Sequence, residues 1–159
     1  MSLLYNAFDI TAFLMYFQSS KSYFEMTHVA PLKILKASAG SGKTFSLTLH
    51  YISLLMTNEN SYREILAVTF TNKATAEMKE RILSVLQGLA VGETSSKIDS
   101  FRKLLLEHNP QWSAALIQEK AYRVYRRILH DYSHFTISTI DGFSQKVIRS
   151  FTYELNLDA

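Results

Sequence analysis

Between Lys33 and Leu155 the chain alternates short unbroken apolar runs with longer stretches in which apolar residues return every three or four positions, the pattern of strands alternating with helices. Lys33 to Lys36 is predicted as the first strand. Phe45, Leu47, Leu49, Tyr51, Ile52, Leu54, Leu55 and Met56 then predict a helix that ends near Asn58, where Asn58, Asn60 and Ser61 favour a turn. Ile65 to Phe70 is a second strand, apolar without alternation, as strands buried on both faces of a parallel sheet are. Ala74, Met78, Ile82, Val85, Leu86 and Leu89 make the apolar stripe of the next helix, with Glu77, Lys79, Glu80 and Arg81 beside it. Thr71 or Asn72 is its expected cap, and Gly88 and Gly92 mark its end. After a linker over Gly92 to Ser96, a helix is predicted from Ile98 to His108, broken by Asn109-Pro110. A long amphipathic helix follows over Trp112 to Tyr132, then a strand over Phe135 to Ser138. Asp141 is expected to cap a last helix carrying Phe143, Val147, Ile148, Phe151 and Leu155.

Residues 1–30 break this rhythm. They hold Tyr5, Phe8, Phe13, Tyr16, Phe17, Tyr23 and Phe24 among few charges, and lack the order of basic segment, apolar core and small-residue cleavage site of a secretory signal. Two readings stay open: a helix from about Ile10 to Phe17 docked on the domain, or an incidental extension with Met26 as the natural start. The division expected is thus an aromatic-rich extension over 1–30 and a domain over 31–159 with a helical segment at 97–132.

A chain of 159 residues, 47 % hydrophobic, suits one domain with a real core, and no run reaches the roughly 18 apolar residues of a membrane span. The absence of cysteine excludes disulfides and thiolate metal sites. Seventeen basic against 14 acidic residues leave +3, a surplus compatible with phosphate-bearing partners. Lys120, Arg123, Arg126 and Arg127 form a basic face on the long helix, either a solvated surface or a nucleic-acid patch.

The candidate chemistry lies in Lys33 to Ser46, K-I-L-K-A-S-A-G-S-G-K-T-F-S, where a strand breaks into small residues and a Lys-Thr pair opens a helix. Gly40 and Gly42 let backbone N–H groups approach an anion, and Ser38, Ala39 and Ser41 leave the cavity clear. Lys43 can neutralise β- and γ-phosphate charge, and the Thr44 hydroxyl can complete a Mg²⁺ shell. The expected nucleotide site is therefore Ala39, Gly40, Ser41, Gly42, Lys43, Thr44 and Phe45, with ATP and Mg²⁺ as ligands. The strict phosphate-loop pattern begins with glycine where this chain has Ala37, and a plain Gly/Ser turn is the alternative.

Two further stretches carry a family resemblance. I-L-A-V-T-F-T-N-K-A-T-A-E-M-K-E-R-I, from Ile65 to Ile82, resembles the DNA-contacting motif Ia of superfamily 1 helicases of the UvrD/Rep type. S-T-I-D-G-F-S-Q-K-V-I-R-S-F, within Phe135 to Leu157, resembles motif Ib and its helix. The A-S-A-G-S-G-K-T loop is similar to that of the branch containing the beta subunit of exonuclease V and the AddA nuclease-helicases. The resemblance implies an α/β P-loop NTPase fold, a RecA-like parallel sheet flanked by helices, here an incomplete first motor domain. It implies a cytoplasmic motor on single-stranded DNA, driven by ATP hydrolysis and acting in DNA unwinding and repair. The remaining motor domain and other nuclease-helicase subunits are its implied partners. By the same carry-over Lys43 and Thr44 serve catalysis, and Thr69, Phe70, Thr71, Asn72 and Lys73, with Thr139 and Phe143, face the DNA. Phe70 is the candidate stacking partner for a base. Asp141 stands where the family usually has histidine, which points to capping, since a carboxylate repels phosphate.

Hydrolysis also needs an acidic pair after a strand, and no apolar run followed by Asp-Glu occurs in the sequence. The chain thus reads as the N-terminal part of a larger helicase, expected to bind nucleotide weakly with turnover near background. A missing central strand would leave an apolar sheet edge, predicting self-association or a rearranged sheet. A folded but inactive fragment, or a kinase-like P-loop module, are the alternatives at this point.

Overall fold

The computed structural model describes residues 13–16 and 42–151. The strand predicted over 33–36, loop residues Ala39, Gly40 and Ser41, Met26 and Leu155 lie outside them. The described elements are β1 (Phe13–Tyr16), α1 (Lys43–Thr57), β2 (Ile65–Thr69), α2 (Asn72–Ala90), α3 (Ser96–His108), α4 (Ala114–His130), β3 (Ile137–Thr139) and α5 (Ile140–Ser150).

The sheet has the order β1-β2-β3. β2 and β3 run parallel, with Ala67 opposite Ile137 and Thr69 opposite Thr139, as expected of a strand-helix-strand fold whose crossover carries the helices. β1 pairs antiparallel with the other edge of β2, Phe13 opposite Val68 and Tyr16 opposite Ile65. Phe13 to Tyr16 is thus a strand, not part of the docked helix read from the aromatic pattern. The open edge of β2 supplies the backbone partners that decide it. The parallel pair with its flanking helices is the α/β arrangement of a partial RecA-like domain.

β2 is the buried strand: Ile65, Ala67, Val68 and Thr69 are all inaccessible, which is why its sequence reads as a continuous apolar run. The core joins Tyr51, Ile52 and Leu55 of α1 with Ile82, Val85, Leu86 and Leu89 of α2, Phe101 and Leu105 of α3, and Ala121, Val124 and Ile128 of α4. α5 is the exception, with no buried residue despite its amphipathic sequence.

Helix starts follow the hydroxyl-cap rule. Thr71, Ser95, Ser113 and Thr139 accept hydrogen bonds from the backbone N–H of Ala74, Ile98, Leu116 and Gly142 at 3.1, 3.4, 3.1 and 3.1 Å. Thr71, rather than Asn72, caps α2, and Thr139, rather than Asp141, caps α5. Asp141 sits in the first turn of α5, where a carboxylate complements the helix dipole. Gly92, with φ 71°, closes α2, and the N–H of Glu93 reaches back to the Gly88 carbonyl at 2.8 Å. Gly88 lies inside α2 for a packing reason: a Cβ there would meet Ile98 Cδ1 at 2.6 Å.

Candidate functional site

α1 begins differently from the other helices. Its N-cap is Gly42, in the left-handed region at φ 80°, with no side-chain cap. The first intrahelical bond runs from Ser46 N–H to the Gly42 carbonyl at 2.9 Å, so the N–H groups of Lys43, Thr44 and Phe45 stand ahead of it. No acidic residue occupies the first turn. A Cβ at Gly42 would meet nothing within 4 Å, so glycine serves the backbone angle and not a close approach. This half of the loop fits a phosphate: uncapped donors, the positive end of a 15-residue helix, and no competing carboxylate. Thr44 is half-buried, and its carbonyl accepts from the Thr48 hydroxyl at 2.7 Å. The Phe45 ring packs on Phe101 with centroids 4.3 Å apart, so what Phe45 can offer an anion is its backbone N–H.

The segments expected to face DNA come together at the C-terminal ends of β2 and β3. Because Thr69 and Thr139 are register partners, Phe70 to Lys73 and Ile140 to Phe143 leave the sheet side by side, each entering a helix start. The side chains divide sharply. Thr69 is buried, its hydroxyl 2.6 Å from that of Thr75 and donating to the Thr71 carbonyl at 3.0 Å. The Thr71 and Thr139 hydroxyls are occupied as caps. Phe70 is 59 % exposed, so its ring is open to a partner. Asn72 and Lys73 are exposed, with Lys73 in a loose pair with Glu77 at 3.9 Å. Phe143, half-buried, lines a cleft of about 550 Å³ between α5 and β3, with Lys79, Lys146 and Ser138. Ser138 Oγ is buried there without a hydrogen-bond partner among the described residues. Nothing in the local sequence of Ser138 or Lys79 marks them as neighbours, since they come from β3 and α2.

The basic face of α4 has a different task. Lys120 donates to the Met56 carbonyl at 2.9 Å, Arg123 Nε to Glu59 at 2.5 Å, and Arg127 to Asn60 Oδ1 at 2.7 Å and to Glu59 at 3.2 Å. These cations tie α4 to the end of α1 and the turn after it. Beside them Asp131 accepts from Tyr62 at 2.9 Å and from Arg63 Nε at 2.7 Å, and pairs with His134 at 2.6 Å. The His134 hydrogen bond is the largest influence holding the Asp131 carboxyl below the usual carboxylate range, opposed by desolvation and reinforced by Tyr62 and Arg63.

A family model described as the UvrD/REP helicase N-terminal domain matches residues 24–159. The chain belongs to the UvrD/Rep helicase family. Within that family it is related to RecB- and AddA-type helicase-nuclease subunits. It is 34 % identical over 136 residues to the RecBCD enzyme subunit RecB of Buchnera aphidicola subsp. Acyrthosiphon pisum, covering 79 % of this chain and 11 % of that protein. It is 35 % identical over 127 residues to an ATP-dependent helicase/nuclease subunit of Bacillus cytotoxicus, covering 79 % and 8 %. A probable DNA helicase II homolog of Rickettsia conorii is 42 % identical over 77 residues, or 47 % of this chain and 12 % of that protein. This UvrD/Rep-type chain therefore spans about a tenth of the length of such relatives. No solved structure matches it. Among the described residues of this helicase domain, no group of His, Cys, Asp and Glu could hold a metal and no helix is long and apolar enough to cross a membrane.

Proposed function

We propose that this chain is the ATP-binding and strand-contacting portion of the first motor domain of a cytoplasmic DNA helicase-exonuclease subunit that unwinds DNA in recombinational repair. The observation that carries the reading is the register of β2 and β3, which sets two helix N-termini and the exposed Phe70 ring on one edge of the sheet. An exposed aromatic ring accepts a stacked base, and the α2 start beside it carries Lys73 with no acidic residue in its first turn, so that edge suits a single strand of DNA.

The α1 start supplies the nucleotide half. Ala39 to Phe45 would hold the triphosphate, Lys43 would neutralise its β and γ oxygens, and the Thr44 hydroxyl would serve as a Mg²⁺ ligand. Mg²⁺, if bound there, would supply positive charge against the phosphates. On the DNA edge, Phe70 stacks on a base while Asn72, Lys73 and Phe143 line the strand's path. Thr69, Thr71 and Thr139 act by holding those loops through the bonds described above. Nucleotide-driven movement of the strand belongs to the longer protein, with the remaining motor domain and partner subunits as its other parts.

Titration calorimetry of Mg²⁺-ATP into the chain, beside Lys43→Ala, tests the nucleotide half. Weak saturable binding that the variant loses, with turnover near background, is the expected result. No binding by either protein would sink the reading for this chain. Turnover strongly stimulated by DNA and abolished in the variant would overturn the expectation of weak hydrolysis.

A further inference from the structure

Four of the seven arginines of the chain lie around one open groove of about 390 Å³ between α4 and the turn that leads into β2. Arg63 comes from the turn, and Arg123, Arg126 and Arg127 from α4, and Tyr122 and the Asp131 carboxylate are among the other lining residues. The groove is at the N-terminal end of β2, and five residues of strand, about 17 Å at ~3.3 Å each, separate it from Phe70.

Three of these arginines are held in place. Glu59 fixes Arg123 and Arg127, Glu119 also pairs with Arg123, and Asp131 fixes Arg63. A guanidinium carries five N–H donors, so each of these bonds leaves others over, on a planar group suited to phosphate oxygens. Arg126 has no carboxylate partner among the described residues and instead lies over the Tyr122 ring, 5.7 Å from its centroid. Tyr122 is itself 51 % exposed. Four guanidinium groups thus face three carboxylates, a positive surplus. An exposed aromatic face beside a free guanidinium is what a base and its phosphate need together.

We propose that this groove is a second contact for a nucleic-acid strand, with the arginines on phosphates and the Tyr122–Arg126 pair on a base. An acidic peptide would use the arginines but leave the tyrosine face idle, so a polynucleotide fits the full set of groups better. The inference rests on the chain being a DNA-handling domain, but it uses none of the residues at the Phe70 edge.

Tyr122 and Arg126 can be changed without cutting the ties that hold α4 to α1, whereas Arg63, Arg123 and Arg127 cannot. The test is fluorescence anisotropy of a labelled oligothymidylate with the 159-residue chain, Tyr122→Ala/Arg126→Ala and Phe70→Ala, each checked for an unchanged melting transition. The groove variant is expected to bind at least about fivefold more weakly, with the log-log salt slope lower by about 0.7 for the lost phosphate contact. Ultraviolet crosslinking of a bromodeoxyuridine oligonucleotide is expected to mark the peptide that carries Tyr122. Loss of binding in Phe70→Ala alone, with crosslinks confined to the Phe70 segment, overturns the groove and leaves the function proposed above standing. Unchanged binding in both variants overturns both. Loss of polyglutamate binding but not of oligothymidylate binding in the groove variant would assign the groove to an acidic protein partner instead.

Discussion

At the scale of single residues, the same side-chain type does different work according to what its neighbours leave free. Thr69, Thr71, Thr139 and Thr44 are alike in sequence terms, yet three of them spend their hydroxyls inside the fold. Asp131 is a carboxylate at the α4 junction whose titration is shifted by its partners. Its folded-state carboxyl is held below its ordinary value, chiefly by the His134 hydrogen bond, so it stabilises the fold fully above the unfolded carboxylate pKa of about 4. That stabilisation is lost as pH falls through the lower folded value. Thermal melts across the acid range should therefore show the unmodified chain losing more stability on acidification than Asp131→Asn, which starts lower and changes less. Parallel curves would mean that the carboxylate is not coupled to folding.

At the scale of elements, the contact between α2 and α3 turns on a single glycine. Gly88 sits where the two helices come closest, with Ile98 Cδ1 and Cγ1 at 2.6 and 2.8 Å from where a Cβ would be. Ile98 is buried, so any shift of its side chain must be taken up by a packed core. Gly88→Ala gains about 1 kcal/mol of helix propensity but overpacks this contact, which costs roughly 1–3 kcal/mol. Urea unfolding should therefore find the variant no more stable than the original, and most plainly less so. A stabilisation near the full propensity gain would show that α3 shifts freely away from α2.

For the molecule as a whole, the unevenness of burial is the main fact. α1 to α4 and β2 form a sealed core, while α5 leaves Ile140, Val147, Ile148 and Phe151 on the surface, beside β3 at the end of the sheet. Apolar faces of this kind normally meet another surface. Light scattering should find mass rising with concentration, and Val147→Ser/Phe151→Ser should shift the chain toward the monomer. A monomer at all concentrations would count against a sticky α5 face. Among the described residues, one edge of β2 is covered in cis by β1, which pairs antiparallel along it.

What the sequence determined by itself was local. Helical spacing placed α1 to α5 within a few residues, and the Gly-Lys-Thr start of α1 and the T-F-T-N-K run were legible because their chemistry sits in consecutive positions. What only the tertiary structure decided was every pairing across distance. The strand from Phe13 to Tyr16 depends on an edge more than 48 residues away, which no local periodicity encodes. That Glu59 and Asn60, more than 60 residues earlier, hold two of the α4 arginines is likewise a pairing that helical spacing does not encode. Capping at Thr139 instead of Asp141 turned on which hydroxyl met the Gly142 N–H once β3 had ended. Propensity and spacing act through neighbours in the chain, whereas sheet edges, ion pairs and close helix contacts are chosen by what folding brings within reach.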